Sequence, residues 1–264
     1  MRSKVIFVTG GSSGIGKAAA QALAASGCTV YEGSRRESRI EGITHLTLDV
    51  TDENSVQTAV DEILSREGRV DVLINCAGAG ISGAVEFTEA DDVRFQMDVN
   101  FMGTVNVTKA VLPHMREAGC GRIVNISSVA AAFPIPFQTY YSASKAAVNA
   151  YSMALANEVK PFGITVTAVQ PGDIRTGFTS ARAKSADGDD IYSGRISRSV
   201  ARMEHDEQNG MDPAAAGRMI AKIALRRGCR PVCTLGFGYK FLCTLAKVLP
   251  SSVINPLIGM LYAK

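Results

Sequence analysis

The sequence predicts a single α/β domain, a doubly wound parallel sheet with helices on both faces. Three observations predict it. Short apolar, β-branched runs alternate with longer helix-forming runs, and no internal repeat or low-complexity linker divides them. The first apolar run leads directly into a glycine-rich turn and a strong helix former. Two later runs end in small or hydroxyl-bearing residues, so three strand ends can converge on one crevice, where open α/β sheets bind ligands.

Lys4-Val5-Ile6-Phe7-Val8 reads as a buried strand that meets Thr9-Gly10-Gly11-Ser12-Ser13-Gly14-Ile15-Gly16 and then the Ala-rich helix Lys17–Ala25. Glycine lets the backbone turn tightly and approach a pyrophosphate, while the helix start offers unpaired N–H groups and a positive dipole end. This Rossmann-type unit predicts a bound dinucleotide. Strands follow at Thr29–Gly33 and Thr44–Leu48, then a helix at Asn54–Arg66 and a buried strand in Asp71-Val72-Leu73-Ile74-Asn75-Cys76-Ala77-Gly78. A helix at Val93–Arg116 precedes the strand of Gly121-Arg122-Ile123-Val124-Asn125-Ile126-Ser127-Ser128. The helix Ser142–Val159 stops before Pro161. A strand at Ile164–Val169, a helix at Pro213–Arg226 and a short strand at Val232–Leu235 close the alternation. The rhythm breaks between Phe178 and Gly210, which is polar, charged and poorly periodic; a segment of this length predicts a helical lid over the substrate, with few apolar anchors.

Tyr141 and Lys145 stand four residues apart on the helix after the third strand end, so both side chains point at one volume. A phenol with an ordinary pKa of about 10 serves as a general acid or base near neutrality only when a neighbour shifts it, and Lys145 is placed to supply the lowering charge. Tyr140 has no lysine at the same offset. Cofactor choice turns on Tyr31-Glu32-Gly33-Ser34-Arg35-Arg36. Glu32 falls inside the strand, two residues too early to accept from a ribose hydroxyl, and the strand end carries Ser34 with two guanidinium groups. Arg35 and Arg36 suit a 2′-phosphate, so NADP(H) is expected, with NAD(H) as the alternative.

The net charge of +3, with Lys and Arg dispersed, gives no footprint for nucleic acid. The six cysteines are scattered, and Cys229-x-x-x-Cys233 has no second pair or histidine cluster beside it, so no metal site is expected. His45, His114 and His205 match no motif. Reduced thiols, with no leader and no apolar run of about 20 residues, make a cytoplasmic protein the expectation.

In this order, Thr9-Gly10 through Gly16, Asn75-x-Ala77-Gly78, Asn100, Ser128, Tyr141-x-x-x-Lys145 and Pro171-Gly172-Asp173-Ile174-Arg175-Thr176 resemble the short-chain dehydrogenase/reductase family over roughly residues 4 to 178. The resemblance implies a catalytic set of Asn100, Ser128, Tyr141 and Lys145. Tyr141 exchanges a proton with the substrate oxygen, Ser128 (with Ser127 as rival) donates a hydrogen bond to it, and Asn100 holds a water reaching Lys145. It further implies cofactor contacts from Gly10, Ser12, Ser13, Gly14, Ile15, Gly16, Asp49, Val50, Asn75, Ala77, Gly78, Tyr141, Lys145, Pro171, Gly172, Ile174 and Thr176. Asp49 is similar to the residue that reads the adenine amino group, and it also suits a turn before Thr51. A homodimer or homotetramer built on the Val93–Arg116 and Ser142–Val159 helices is implied as well.

Substrate expectations rest on apolar residues. Phe133, Pro134, Ile135, Pro136 and Phe137 lie between Ser128 and Tyr141, and the segment from Phe237 onward carries Val253, Ile254, Leu257, Ile258 and Leu261 at helical spacing. That tail predicts core packing or an oligomer contact on one reading, and peripheral membrane contact on the other. The pattern resembles the hydroxysteroid and retinol dehydrogenase-like branch, implying a ketone and alcohol interconversion on a lipophilic steroid or retinoid. A 3-oxoacyl thioester reductase is the alternative, and a non-catalytic NADP(H)-sensing protein is a further one.

Overall fold

The computed structural model describes residues 3–226, 228 and 230–263; Cys229, weighed above with Cys233, lies outside them. In chain order the strands are β1 (Val5–Thr9), β2 (Thr29–Ser34), β3 (Ile43–Thr47), β4 (Val72–Asn75), β5 (Ile81–Ser82), β6 (Gly121–Ile126), β7 (Ile164–Gln170), β8 (Ala183–Lys184) and β9 (Val232–Thr234). Among the described residues, seven strands form one parallel sheet in the order β3-β2-β1-β4-β6-β7-β9, while β5 and β8 pair separately. Strand order reverses between β1 and β4, which opens a crevice beyond their carboxyl ends.

The helices are α1 (Gly14–Ala24), α2 (Glu53–Glu67), α3 (Ala90–Met97), α4 (Gly103–Glu117), α5 (Thr139–Glu158), α6 (Phe178–Ala181), α7 (Arg195–Gln208), α8 (Pro213–Leu225), α9 (Phe237–Val248) and α10 (Ser251–Tyr262). Successive strand residues face opposite sides, and β1 displays this directly. Val5 and Phe7 join a core with Val60 and Ile63 of α2, Val111 of α4 and Leu155 of α5. Ile6 and Val8 join another with Ala20 and Leu23 of α1 and Ile220 of α8. Burying both faces explains why the strands read as continuous apolar runs.

A buried polar ladder ties the sheet centre to one helical layer. Asn75 Nδ2 donates to Thr108 Oγ1 at 3.0 Å and to Asn125 Oδ1 at 2.9 Å, and Asn125 Nδ2 donates to Ser152 Oγ at 2.9 Å. Inside a protein such groups must find partners, and here they fix β4, β6, α4 and α5 to one another.

Three expectations change. The helix expected over Val93–Arg116 runs from α3 to α4 through a wider π turn, Asp98–Met102, that carries Asn100. The lid segment is not poor in anchors: α7 buries Ile196, Val200 and Met203 at helical spacing, diluted among charged residues, and β8 pairs with β5 beneath it. Phe137 does not line the substrate space but packs under the lid, edge-on to Tyr192 with ring centroids 5.6 Å apart.

The tail forms α9 and α10, as its spacing predicts for the second of them. Each is attached by a narrow stripe. Tyr239 and Cys243 hold α9, and Ile258 and Tyr262 hold α10, with Tyr239 donating to Asp173 and Tyr262 to Asp206. Leu257 and Leu261 point outward, 47% and 62% exposed, so the tail reaches the interior through Tyr262 instead.

Candidate active site

One cavity of about 560 Å³ occupies the crevice at the carboxyl ends of β1, β4, β6 and β7. Its floor is the turn between β1 and α1. Gly10 and Gly14 have φ of 67° and 53°, a region that side chains rarely adopt. A Cβ on Gly16 would lie 2.3 Å from the Gly10 carbonyl oxygen. Ser13 precedes α1 but makes no side-chain cap, which leaves the first helical N–H groups available to an anion. Gly10, Ser13, Gly14, Ile15 and Gly16 line this floor, and Arg35 and Arg36 line the end beside β2. Both arginines are exposed, and among the described residues neither is held in an ion pair. Glu32 is buried in β2 with His45 Nδ1 2.5 Å away, remote from a ribose-reading role. The residues present therefore fit a dinucleotide: a glycine cradle at a helix start, and cations at its far end.

The chemical end is built on β6 and α5. Lys145 is buried, its Nζ donates to the Ile126 carbonyl at 2.9 Å, and Ser127 Oγ donates to the Lys145 carbonyl at 2.9 Å. Ser127 is thus committed to the backbone. Ser128 Oγ accepts from Ala130 N at 3.1 Å, which leaves its own proton for another acceptor. Tyr141 and Lys145 both line the cavity, the ammonium 5.7 Å from the phenol ring centre. Burial pushes the Tyr141 phenol up to about 12, with the Ser128 hydrogen bond the strongest influence in the other direction. Lys145 was expected to lower that phenol; instead its own burial pulls it down to about 8. Its nitrogen faces the Ile126 carbonyl and the ring rather than the hydroxyl.

Asn100 acts one layer behind. Its Oδ1 accepts from Ala79 N at 2.8 Å, and its Nδ2 donates to the Ala79 carbonyl at 3.1 Å and to Ser144 Oγ at 3.0 Å. The amide holds the loop after β4 against α5. Gly78 sits in the gap between, where a Cβ would approach Asn100 Oδ1 to 3.3 Å and Lys145 Nζ to 3.6 Å.

Of the expected site residues, Ala77, Gly78, Ser128, Pro171, Gly172, Ile174 and Thr176 also line the cavity, while Ser12, Asp49, Val50, Asn75 and Asn100 do not. Asp49 Oδ1 takes the Thr51 N–H at 2.9 Å and the Thr51 hydroxyl at 2.7 Å, and that hydroxyl is the main reason its carboxyl sits below the usual range. Val50 is buried, with its carbonyl bonded to Asn106 Nδ2 at 3.0 Å. The Asn75 amide belongs to the polar ladder. Among Phe133 to Phe137, only Ile135 reaches the cavity. Sequence reasoning missed Phe178, Met203, Glu207 and Tyr262, which form the wall opposite. The periodicity of Ile196, Val200 and Met203 was the available signal for that wall.

The sequence profile described as short chain dehydrogenase matches residues 4–187. The chain belongs to the short-chain dehydrogenase/reductase family. Among its relatives, a 3-ketodihydrosphingosine reductase of Bacteroides thetaiotaomicron is 47% identical over 230 residues, 86% of either chain. A short-chain dehydrogenase from Streptomyces avermitilis superposes with a TM-score of 0.83 at 34% identity over 94% of each chain. ElxO with NADP bound superposes at 0.76 and 29% identity over 91% of this chain and 100% of that one. The chain is accordingly an oxidoreductase on a fold that binds NAD(P)(H).

As a short-chain dehydrogenase/reductase with a buried lysine, it has a pH-dependent stability of definite sign. With Lys145 near 8 in the folded protein and 10.5 as its ordinary value, the folded state binds fewer protons than the unfolded one between those values. Stability from this group therefore rises with pH across that window. Lys145→Met should stabilise the free protein most at pH 7, by up to about 3 kcal/mol, and the advantage should fade toward pH 10.5 in urea unfolding. An advantage independent of pH would mean that the ammonium is not desolvated.

Proposed function

We propose that the chain is an NADPH-dependent reductase of long-chain lipid ketones, acting on a 3-keto sphingoid base: an acyclic ketone with an amine on the adjacent carbon and a terminal hydroxyl. The single observation that carries this reading is the cavity itself, which joins Tyr141 and Ser128 to an apolar wall of Ile135, Phe178, Met203 and Tyr262. Similarity to the Bacteroides reductase supports the choice of an acyclic chain over a steroid or retinoid. A 3-oxoacyl thioester reductase stays as the second reading, because the same wall accepts an acyl chain.

NADPH, when bound, supplies the hydride. The turn at Gly10–Gly16 and the start of α1 hold its pyrophosphate, and Arg35 and Arg36 hold its 2′-phosphate. Ser128 donates a hydrogen bond, without giving up its proton, to the substrate carbonyl oxygen and stabilises the charge that develops there. The Tyr141 phenol, protonated at neutral pH and made a weaker acid by burial, delivers a proton to the same oxygen. Lys145, near 8, is mostly charged at pH 7 and is anchored through the Ile126 carbonyl beside the phenol ring. Asn100 keeps the Ala79 backbone, and with it the cavity wall, in register.

The partners follow from exposed surfaces. Met102 and Met153 stand half exposed beside α4 and on α5, which supports a homo-oligomer there. On the tail, Phe237, Phe241, Val248, Leu257, Met260 and Leu261 are exposed, while residues 237–263 hold Lys240 and Lys247 and no Asp or Glu. That composition suits the anionic cytoplasmic face of a membrane, from which a lipid ketone would be taken.

Tyr141→Phe should lower kcat with 3-ketodihydrosphingosine by about 10²–10⁴-fold. Tyr140→Phe should stay near wild type, since its hydroxyl reaches only the Val85 carbonyl at 3.3 Å. NADPH-oxidation assays compare them, and a lethal Tyr140 change would displace the proposed acid. Arg35→Ala with Arg36→Ala should raise KM for NADPH about 10-fold or more and leave NADH little changed, because charge-assisted contacts to phosphate are worth about 1.5–3 kcal/mol each. Equal effects would remove the phosphate-reading role. Sedimentation with phosphatidylserine vesicles should pull down the wild type, and Phe237→Ser with Phe241→Ser should weaken it; binding that survives the change would place the contact elsewhere.

A further inference from the structure

The wall facing Tyr141 is mostly apolar, yet it carries a carboxylate. Phe178, Ala181, Ala183 and Met203 line it together with Glu207, whose side chain is 14% exposed. Glu207 Oε1 accepts from Arg182 Nη2, and Oε2 accepts from Thr179 Oγ1 at 2.6 Å. Each carboxylate oxygen has two lone pairs, so each keeps one acceptor position after these bonds. Arg182 behind it has a fully buried side chain, and its Nε and Nη1 have no partner.

Such an arrangement is costly where an apolar wall would serve a hydrocarbon chain. A buried ion pair seldom stabilises a fold better than well-packed apolar residues, and unfilled buried donors add to the cost. The carboxylate also acts on the chemistry. Glu207 raises the Tyr141 phenol and Arg182 lowers it, so both lie within electrostatic reach of the proton donor. Asp173 lines the same end and takes the Tyr239 hydroxyl, but it is not among the charges that act on the Tyr141 phenol. Of the two, Glu207 combines spare acceptor positions with a place in the Tyr141 cavity from which it acts on the phenol.

We infer that Glu207, backed by Arg182 and Thr179, is the acceptor for the ammonium on the carbon next to the substrate carbonyl. This rests on the amino-ketone reading above. The geometry matches the chemistry, because the ammonium of an α-amino ketone sits one carbon from the group that Tyr141 protonates. Pairing fills an acceptor position that Glu207 has left over and orients the ketone in the cleft. It also cancels the field that opposes charge on the phenol, which a substrate without an amine leaves in place. Arg182 and Thr179 hold the carboxylate in place at the cavity wall.

The test compares purified full-length enzyme on 3-ketodihydrosphingosine and on the same long-chain hydroxy ketone without the amine. The readout is the ratio of their kcat/KM values, measured by NADPH oxidation. Wild type should favour the amine, and Glu207→Gln should collapse the ratio by about 30-fold or more, as expected for loss of a charge-assisted hydrogen bond. The decline of kcat/KM as the substrate ammonium deprotonates should disappear in the same variant. Should Glu207→Gln not fold, Arg182→Leu with Glu207→Leu removes the pair without stranding a charge, and the same ratio is read. A ratio unchanged by either variant, in an enzyme that does reduce the amino ketone, overturns the role of Glu207 and leaves the proposed function standing. A wild type that reduces the amine-free ketone or a 3-oxoacyl thioester and rejects the amino ketone overturns both.

Discussion

The rest of the site depends on one primary amine taken out of water. Lys145 is buried at the centre of the cleft, where its Nζ donates to the Ile126 carbonyl. An ammonium stripped of solvent is expensive, which is why its pKa falls to about 8. That carbonyl is available because the pairing of β6 with β4 ends at Asn125, while Ser127 N still donates to the Val169 carbonyl of β7 at 2.7 Å. Ser127 then binds the lysine's own carbonyl, so strand end and helix grip each other at successive residues. The ladder from Asn75 through Asn125 to Ser152 continues the grip through the protein.

The phenol answers to a second set of forces. Burial alone makes Tyr141 a reluctant acid, and the cleft offsets this from one side with Ser128. From the other side, the lid brings an arginine and a carboxylate whose effects on the phenol oppose each other. The lid is therefore an electrostatic component of the cavity as well as an apolar cover. Phe178 bears on this, since its ring lies 5.7 Å from that of Tyr141 and takes the Arg182 guanidinium at 5.5 Å on another side. A Cβ on Gly80 would lie 2.6 Å from the Phe178 ring, so the loop after β4 must be small for the lid to reach that position.

Much of this was legible in the sequence. Each strand of the main sheet was read within a residue or two, because burial on both faces leaves continuous apolar runs between glycine and polar turns. The glycine turn, Ser128 and the Tyr141–Lys145 pair were legible because their spacing is set by local geometry. The role assigned to Lys145 was not, since four residues along a helix fixes a shared face and says nothing of which atom the ammonium meets. Asn100 looked like an odd residue inside a helix; the π turn beneath it cannot be read from an isolated amide. Glu207 was hidden for the opposite reason: it sits in Glu204-His205-Asp206-Glu207, where neighbouring carboxylates face solvent or other partners, and only the packing of α7 selects the one that faces inward. For Leu257 and Leu261 the periodicity gave a stripe without saying which way it turns, which is why the sequence left core packing and membrane contact both open.

The tail shows how an exposed apolar element can be held without a core of its own. Much of the side-chain surface of α9 and α10 faces outward, Phe237 at 90% exposure, so burial contributes little to their attachment. Two phenol–carboxylate bonds take its place. Tyr239 fits against Gly172, where a Cβ would lie 2.2 Å from the ring, and bonds Asp173; Tyr262 bonds Asp206 at 3.2 Å. Both carboxylates are spoken for at the rim of the cavity, one on the loop after β7 and one on α7. Gly172 carries no side chain because the phenol occupies that space, and the same loop supplies Pro171, Ile174 and Thr176 to the cavity wall. Tail, cofactor loop and lid are thus joined through two tyrosines.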